Sequence, residues 1–65
     1  MEPYKGYVVW IHAVPNRDGT FAALSSVSKM EKILWVSGAL GKFEVALDAK
    51  ITGRLLAHRW VDTRM

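Results

Sequence analysis

Residues 4–14 read YKGYVVWIHAV, and Pro15-Asn16-Arg17-Asp18-Gly19 carries them into TFAALSSV at 20–27. The first run is dense in β-branched and aromatic side chains, which suit a pleated, half-buried surface, so it predicts a strand. Proline presets one turn dihedral and the Asp-Gly pair accepts positive φ, so 15–19 predict a hairpin turn and 20–27 the returning strand. Working outward, the polar residues 28–32 predict a second turn. ILWVS at 33–37 is short, apolar and bounded by turn residues, which predicts a third strand. Gly38-Ala39-Leu40-Gly41 reads as a breaker. From Phe43 or Glu44 to about Asp62 helix formers dominate, with Glu44 and Asp48 in the early turns and Arg59 near the end, each matched in sign to the helix dipole. The expected fold is therefore α+β: one domain over 1–65, a three-stranded antiparallel meander followed by one C-terminal amphipathic helix packed on one sheet face. No internal repeat or linker divides it.

The faces of these elements carry the functional reading. With Val14 opposite Thr20, one side of the hairpin holds Tyr7, Val9, Ile11, Ala13, Phe21, Ala23 and Val27, with Ser25 as its polar exception. The other side holds Tyr4, Val8, Trp10, His12, Val14, Ala22 and Leu24, joined by Leu34 and Val36 if Val27 opposes Ile33. Both sides are apolar for the most part, and a slip in register exchanges the lists without making either polar. On the helix, Val45, Ala46, Ala49, Gly53, Leu56, Ala57 and Trp60 share an arc. Within it Ala49, Gly53 and Ala57 form a ridge of small residues that permits close approach to the sheet. A mid-helix glycine costs about 1 kcal/mol relative to alanine, which points to a packing reason for Gly53. Leu47, Ile51 and Leu55 form a second stripe, flanked by Asp48 and Arg54.

Two apolar sheet faces and two apolar helix stripes exceed what so short a chain can enclose, and contiguous exposed patches mark contact surfaces. The expectation is a homodimer or larger homo-oligomer that also presents surface to a protein partner, with Val8, Trp10, Leu24, Leu47, Ile51 and Leu55 as the contact residues. An unpaired sheet edge offers strand addition as a further route.

Composition narrows the classes. The chain has 65 residues, 51% hydrophobic, with nine Lys and Arg against six Asp and Glu and no cysteine. Without cysteine there is no disulfide, thiol catalysis or thiolate metal site. The longest apolar run, 7–11, is far below the roughly 20 residues of a spanning helix, and no signal-peptide core follows the amino end, so the expected location is the cytoplasm. The net charge of +3 is spread along the chain. The alternative to a protein-interaction role is weak nucleic-acid binding through Lys50, Arg54 and Arg59 with a sheet aromatic, since affinity follows the number of phosphates neutralised together. In the expected strands only Lys5 is cationic.

Residues for chemistry are few. His12 reads as a packed or surface imidazole, and His58 with Asp62 as a one-turn helix pair. Ser25, Ser26 and Ser28 lack a nucleophile-elbow turn. Gly38 to Lys42 lies before the helix, where an anion site could form, but lacks the phosphate-loop spacing. Trp10, Trp35 and Trp60 read as core or interface filler. The expectation is a non-enzyme with no catalytic residue, cofactor or metal.

YKGYVV at the opening of the first strand, the Asp18-Gly19 turn followed by Phe21, and the helix closing in Arg59-Trp60-Val61-Asp62 together resemble short bacterial proteins built from a β-meander and one helix. Their layout is similar to the partner-binding fold of HicB-type antitoxins, whose hairpin also carries an Asp-Gly turn. The resemblance implies a partner-binding role and carries over no catalytic residue.

Overall fold

The central hairpin forms where the sequence places it. In a computed structural model that describes residues 1–64, β2 (Tyr7–Pro15) pairs antiparallel with β3 (Phe21–Lys29), Val14 lying opposite Ala22 and Pro15 opposite Phe21. The expected partner of Val14 was Thr20; the pairing is displaced by two residues because Asn16 and Thr20 belong to the turn. Asn16 N donates to Thr20 O at 2.7 Å, and Gly19, at φ +87°, takes the left-handed position that closes a three-residue loop. The Asp18 carboxylate accepts from the Thr20 backbone N–H and hydroxyl and holds the loop in shape.

The sheet has more strands than the expected three. The run 4–14 is broken at Lys5 and Gly6, both with positive φ, so that β1 (Glu2–Tyr4) folds back on β2 with Tyr4 opposite Tyr7. This turn moves Tyr4 to the helix-covered side, not the side expected for it. β4 (Lys32–Val36) follows β3 through Met30 and Glu31, a two-residue turn with positive φ at both positions. The segment expected to be a simple breaker contributes β5 (Leu40–Phe43), which pairs with β3 beyond β4, on the same edge. Where β4 gives way to β5, Ser37 holds the edge. Its N–H donates to Ser25 O and its hydroxyl accepts from Ser25 N, each at 2.9 Å.

A bulge corrects the face of β4. Val27 lies opposite Trp35 and Ser28 opposite Ile33, leaving Leu34 as the unpaired residue. Trp35 therefore points to the helix side, while Ile33 and Val36 fall on the open side with Ser28 and Ser26. Of the two residues expected there, Val36 is in place and Ile33 takes the role of Leu34.

The helix α1 (Ala46–Asp62) starts later than residue 43 or 44, because Phe43 pairs with Phe21 in the sheet. Its N-cap is Val45, which has no side-chain capping bond and is exposed instead of joining the buried arc. Ala49, Gly53, Ala57 and Val61 are the buried residues of α1 and lie on the odd-numbered side of the hairpin. Val9, Val27, Ala57 and Val61 form the core, with Tyr4, Tyr7, Ile11, Trp35 and Trp60 packed around them. Trp60 meets Tyr7 edge-on and stacks on Trp35, each with centroids 6.1 Å apart. No helix among the described residues is long and apolar enough to cross a membrane.

Candidate functional site

α1 covers one side of the sheet, and the other side is left open. Alternation along β2 and β3 sends Val8, Trp10, Leu24, Ser26 and Ser28 to this open side, and β4 adds Ile33 and Val36. Trp10 is 38% exposed, with its indole Nε1 donating to Ser28 Oγ at 3.2 Å, which fixes the ring across the hairpin. Val8 and Leu24 are half-buried. Trp10, His12, Ser26, Ser28, Glu31 and Ile33 line a shallow depression of about 310 Å³. It offers one indole face, one aliphatic wall and a few polar atoms, a surface suited to receiving an apolar side chain with a polar tip. Ile33 and Glu31 were not among the expected contact residues. Their placement depends on the bulge and on the Met30–Glu31 turn, which has neither glycine nor asparagine to signal positive φ.

The second surface lies on the far side of the helix. Leu47, Ile51 and Leu55 are 61%, 51% and 57% exposed, and their spacing of four keeps them in one stripe. Asp48 and Arg59 flank it on one side. Open sheet face and helix stripe thus sit on opposite outer surfaces of the two layers, three expected contact residues on each.

Between them, polar side chains clamp β1 to α1. Arg54 Nε donates to both Glu2 carboxylate oxygens at 3.1 Å, and its Nη2 to Oε2 at 2.9 Å. The Arg54 hydrogen bond holds the Glu2 carboxyl below its ordinary value, and Glu2 in turn raises Arg54. Asp62 accepts from Lys5 at 2.8 Å and from the Tyr4 hydroxyl at 2.9 Å, the first of these being the larger reason its carboxyl titrates low. The same bond raises Lys5. His58 stacks on Tyr4 with centroids 3.8 Å apart, so the imidazole is held by an aromatic ring and not by Asp62 one turn on.

Of the cations read as a nucleic-acid alternative, Arg54 is engaged by Glu2, and Lys50 and Arg59 project from opposite flanks because nine residues span two and a half turns. The three do not form a patch. Other cations do meet aromatics: Lys29 lies 4.8 Å from the centre of Tyr7, and Arg64 4.4 Å from that of Trp60. The strands carry Lys29, Lys32 and Lys42, whereas Lys5 lies in the β1–β2 turn. Lys42 pairs with Asp18 at 3.3 Å, Gly41 and Lys42 are themselves part of β5, and Phe43, Glu44 and Val45 separate them from the first turn of α1, so the anion-loop reading has no helix terminus to use. Among the described residues no group of three or more His, Asp or Glu comes together as metal ligands do. Comparison with known protein families, with curated protein sequences and with solved structures finds no match.

Proposed function

We propose that this chain is a small, non-enzymatic, cytoplasmic protein-interaction module that self-associates and binds a protein partner. The observation that carries the reading is the pair of apolar surfaces on opposite sides of a two-layer molecule, where one helix can cover only one sheet face. Val8, Trp10 and Leu24 serve one contact and Leu47, Ile51 and Leu55 the other. The whole molecule exposes 4541 Å². An ordinary interface of about 800 Å² per partner would occupy roughly a sixth of that, more than three contact side chains cover, so each surface gives a small, reversible contact. Light scattering across a dilution series from high to low micromolar concentration tests this directly. Mass rises above the monomer at the upper end, and at least one of Trp10→Lys and Ile51→Lys, each placing a charge in one surface, returns it to the monomer without lowering the melting temperature measured at a dilution where wild type is also monomeric. A monomer at every concentration overturns the reading.

A second reading, weak nucleic-acid binding, has Lys29 and Arg64 as its cations, which lie over Tyr7 and Trp60; because those rings pack against the core, it would act through phosphate contacts and not through base stacking. Titration of a mixed oligonucleotide against salt separates the two. A steep fall of affinity with salt supports this reading, and no binding at low salt removes it.

A further inference from the structure

Resting on the self-association reading above, we infer that the occupant of the Leu47, Ile51 and Leu55 stripe is the same stripe of a second copy, laid antiparallel, leaving the open sheet face for the heterologous partner. The stripe alone is only apolar; its charged flank names the partner. Asp48 in the first turn of α1 and Arg59 in the last are about three turns apart and therefore project from the same flank of the stripe. Neither makes an ion pair within the chain among the described residues; the acid–base pairs are Lys5–Asp62, Lys42–Asp18 and Arg54 and His58 with Glu2.

One flank that carries an acid at its amino end and a base at its carboxyl end is complementary to itself under a two-fold axis perpendicular to the helix. Such an axis at Ile51 sets Ile51 against its own equivalent and Leu47 against Leu55 of the other copy. Long helical side chains lean toward the amino terminus, which carries the Arg59 guanidinium of one copy toward the Asp48 carboxylate of the other, twice over by symmetry. The two helix dipoles also oppose each other in this arrangement. Parallel packing would instead set Asp48 against the opposite flank, where Lys50 is turned about 100° away from Ile51 and so out of the contact, and Arg54 is already bound to Glu2. A 17-residue helix is about 25 Å long and 10–12 Å wide, a footprint of roughly 250–300 Å² per copy that falls below the size of stable interfaces, so the dimer is weak and concentration-dependent.

Charge reversal tests the pairing, with dimerisation read by sedimentation equilibrium. Asp48→Arg and Arg59→Asp each weaken the dimer about tenfold by setting like charges together, and the double variant, which restores opposite charges across the axis, recovers wild-type affinity. Recovery separates pairing from helix-dipole effects, because both reversals are unfavourable to the dipole and their costs add within the monomer. Cross-linking gives a second readout that needs no change of charge. The chain has no cysteine, so Ile51→Cys, at an exposed site, forms a disulfide dimer on mild oxidation only if two copies meet at that position, and Trp10→Cys does not. Single reversals without effect, or a double variant weaker than either, overturn the inference. Should Trp10→Cys cross-link while Ile51→Cys stays monomeric, self-association runs through the sheet face, so this assignment fails and the broader reading stands. A wild-type chain that is monomeric throughout ends both.

Discussion

Gly53→Ala is expected to stabilise the protein, although Gly53 is buried at the point where α1 meets the sheet. A Cβ built there would lie 3.4 Å from Ile11 Cγ2, 3.5 Å from the Leu24 carbonyl oxygen and 3.6 Å from Ser25 Cβ, all ordinary van der Waals separations. The methyl fits without moving either layer. What remains is the helix term: glycine in a helix interior is about 0.8–1.0 kcal/mol less favourable than alanine, so the gain is about 1 kcal/mol. In a domain this small that corresponds to a rise of roughly 4–8 °C in Tm. Gly53→Val is the control. Its two further methyls reach into atoms already in contact, and overpacking of this kind costs about 1–3 kcal/mol, more than the helix term returns. Thermal and urea unfolding followed by circular dichroism, at a concentration where the chain is monomeric, should rank the variants alanine, glycine, valine. An alanine variant that melts below wild type would refute the reasoning. It would mean that helix and sheet stand closer than these distances and that the glycine is sterically required.

Two further outcomes follow from polar groups. Ser25 is fully buried and its hydroxyl oxygen has no hydrogen-bond partner, so Ser25→Ala, by removing an unsatisfied group at the cost of a very small void, should raise stability by about 1–2 kcal/mol; a lower urea midpoint would show that the hydroxyl is bonded after all. Glu2, Asp62 and Asp18 are held below their ordinary values of 4.5, 3.8 and 3.8, so their contributions are complete above those values and lost as pH falls through the depressed ones. Tm should stay level from neutral pH to about 5 and drop below about 4.5, and Glu2→Gln with Asp62→Asn should lower the plateau and flatten the drop. An acid limb unaltered by these two substitutions would show that the clamp between β1 and α1 contributes nothing.

How far the letters disclosed these surfaces depends on which patterns survive an error of pairing. The hairpin register assigned from sequence was displaced by two residues, and because strand faces alternate with a period of two, Val8, Trp10 and Leu24 still fall on the open side and Val9, Ala23 and Val27 on the covered one. The helix stripe needed no pairing at all, since the spacing of Leu47, Ile51 and Leu55 is a local property of the α-helix. What escaped was structure set by positive φ in residues that do not announce it. Lys5 begins the turn that splits off β1, and Met30 and Glu31 form a hairpin turn without glycine or asparagine. β5 lay hidden because its glycine and short length read as punctuation, and its pairing is decided by the open edge of β3 beyond β4. The bulge at Leu34 is an odd displacement, the one kind that exchanges faces. Trp35 keeps the covered side that the expected register gave it, where it stacks on Trp60, while Ile33 changes face and comes to the wall of the depression beside Trp10. Local period therefore fixes which surfaces are apolar. The shape of the open one is set by a two-strand event that neither strand encodes alone, so placing a single residue opposite Ser28 decides what Trp10 can receive.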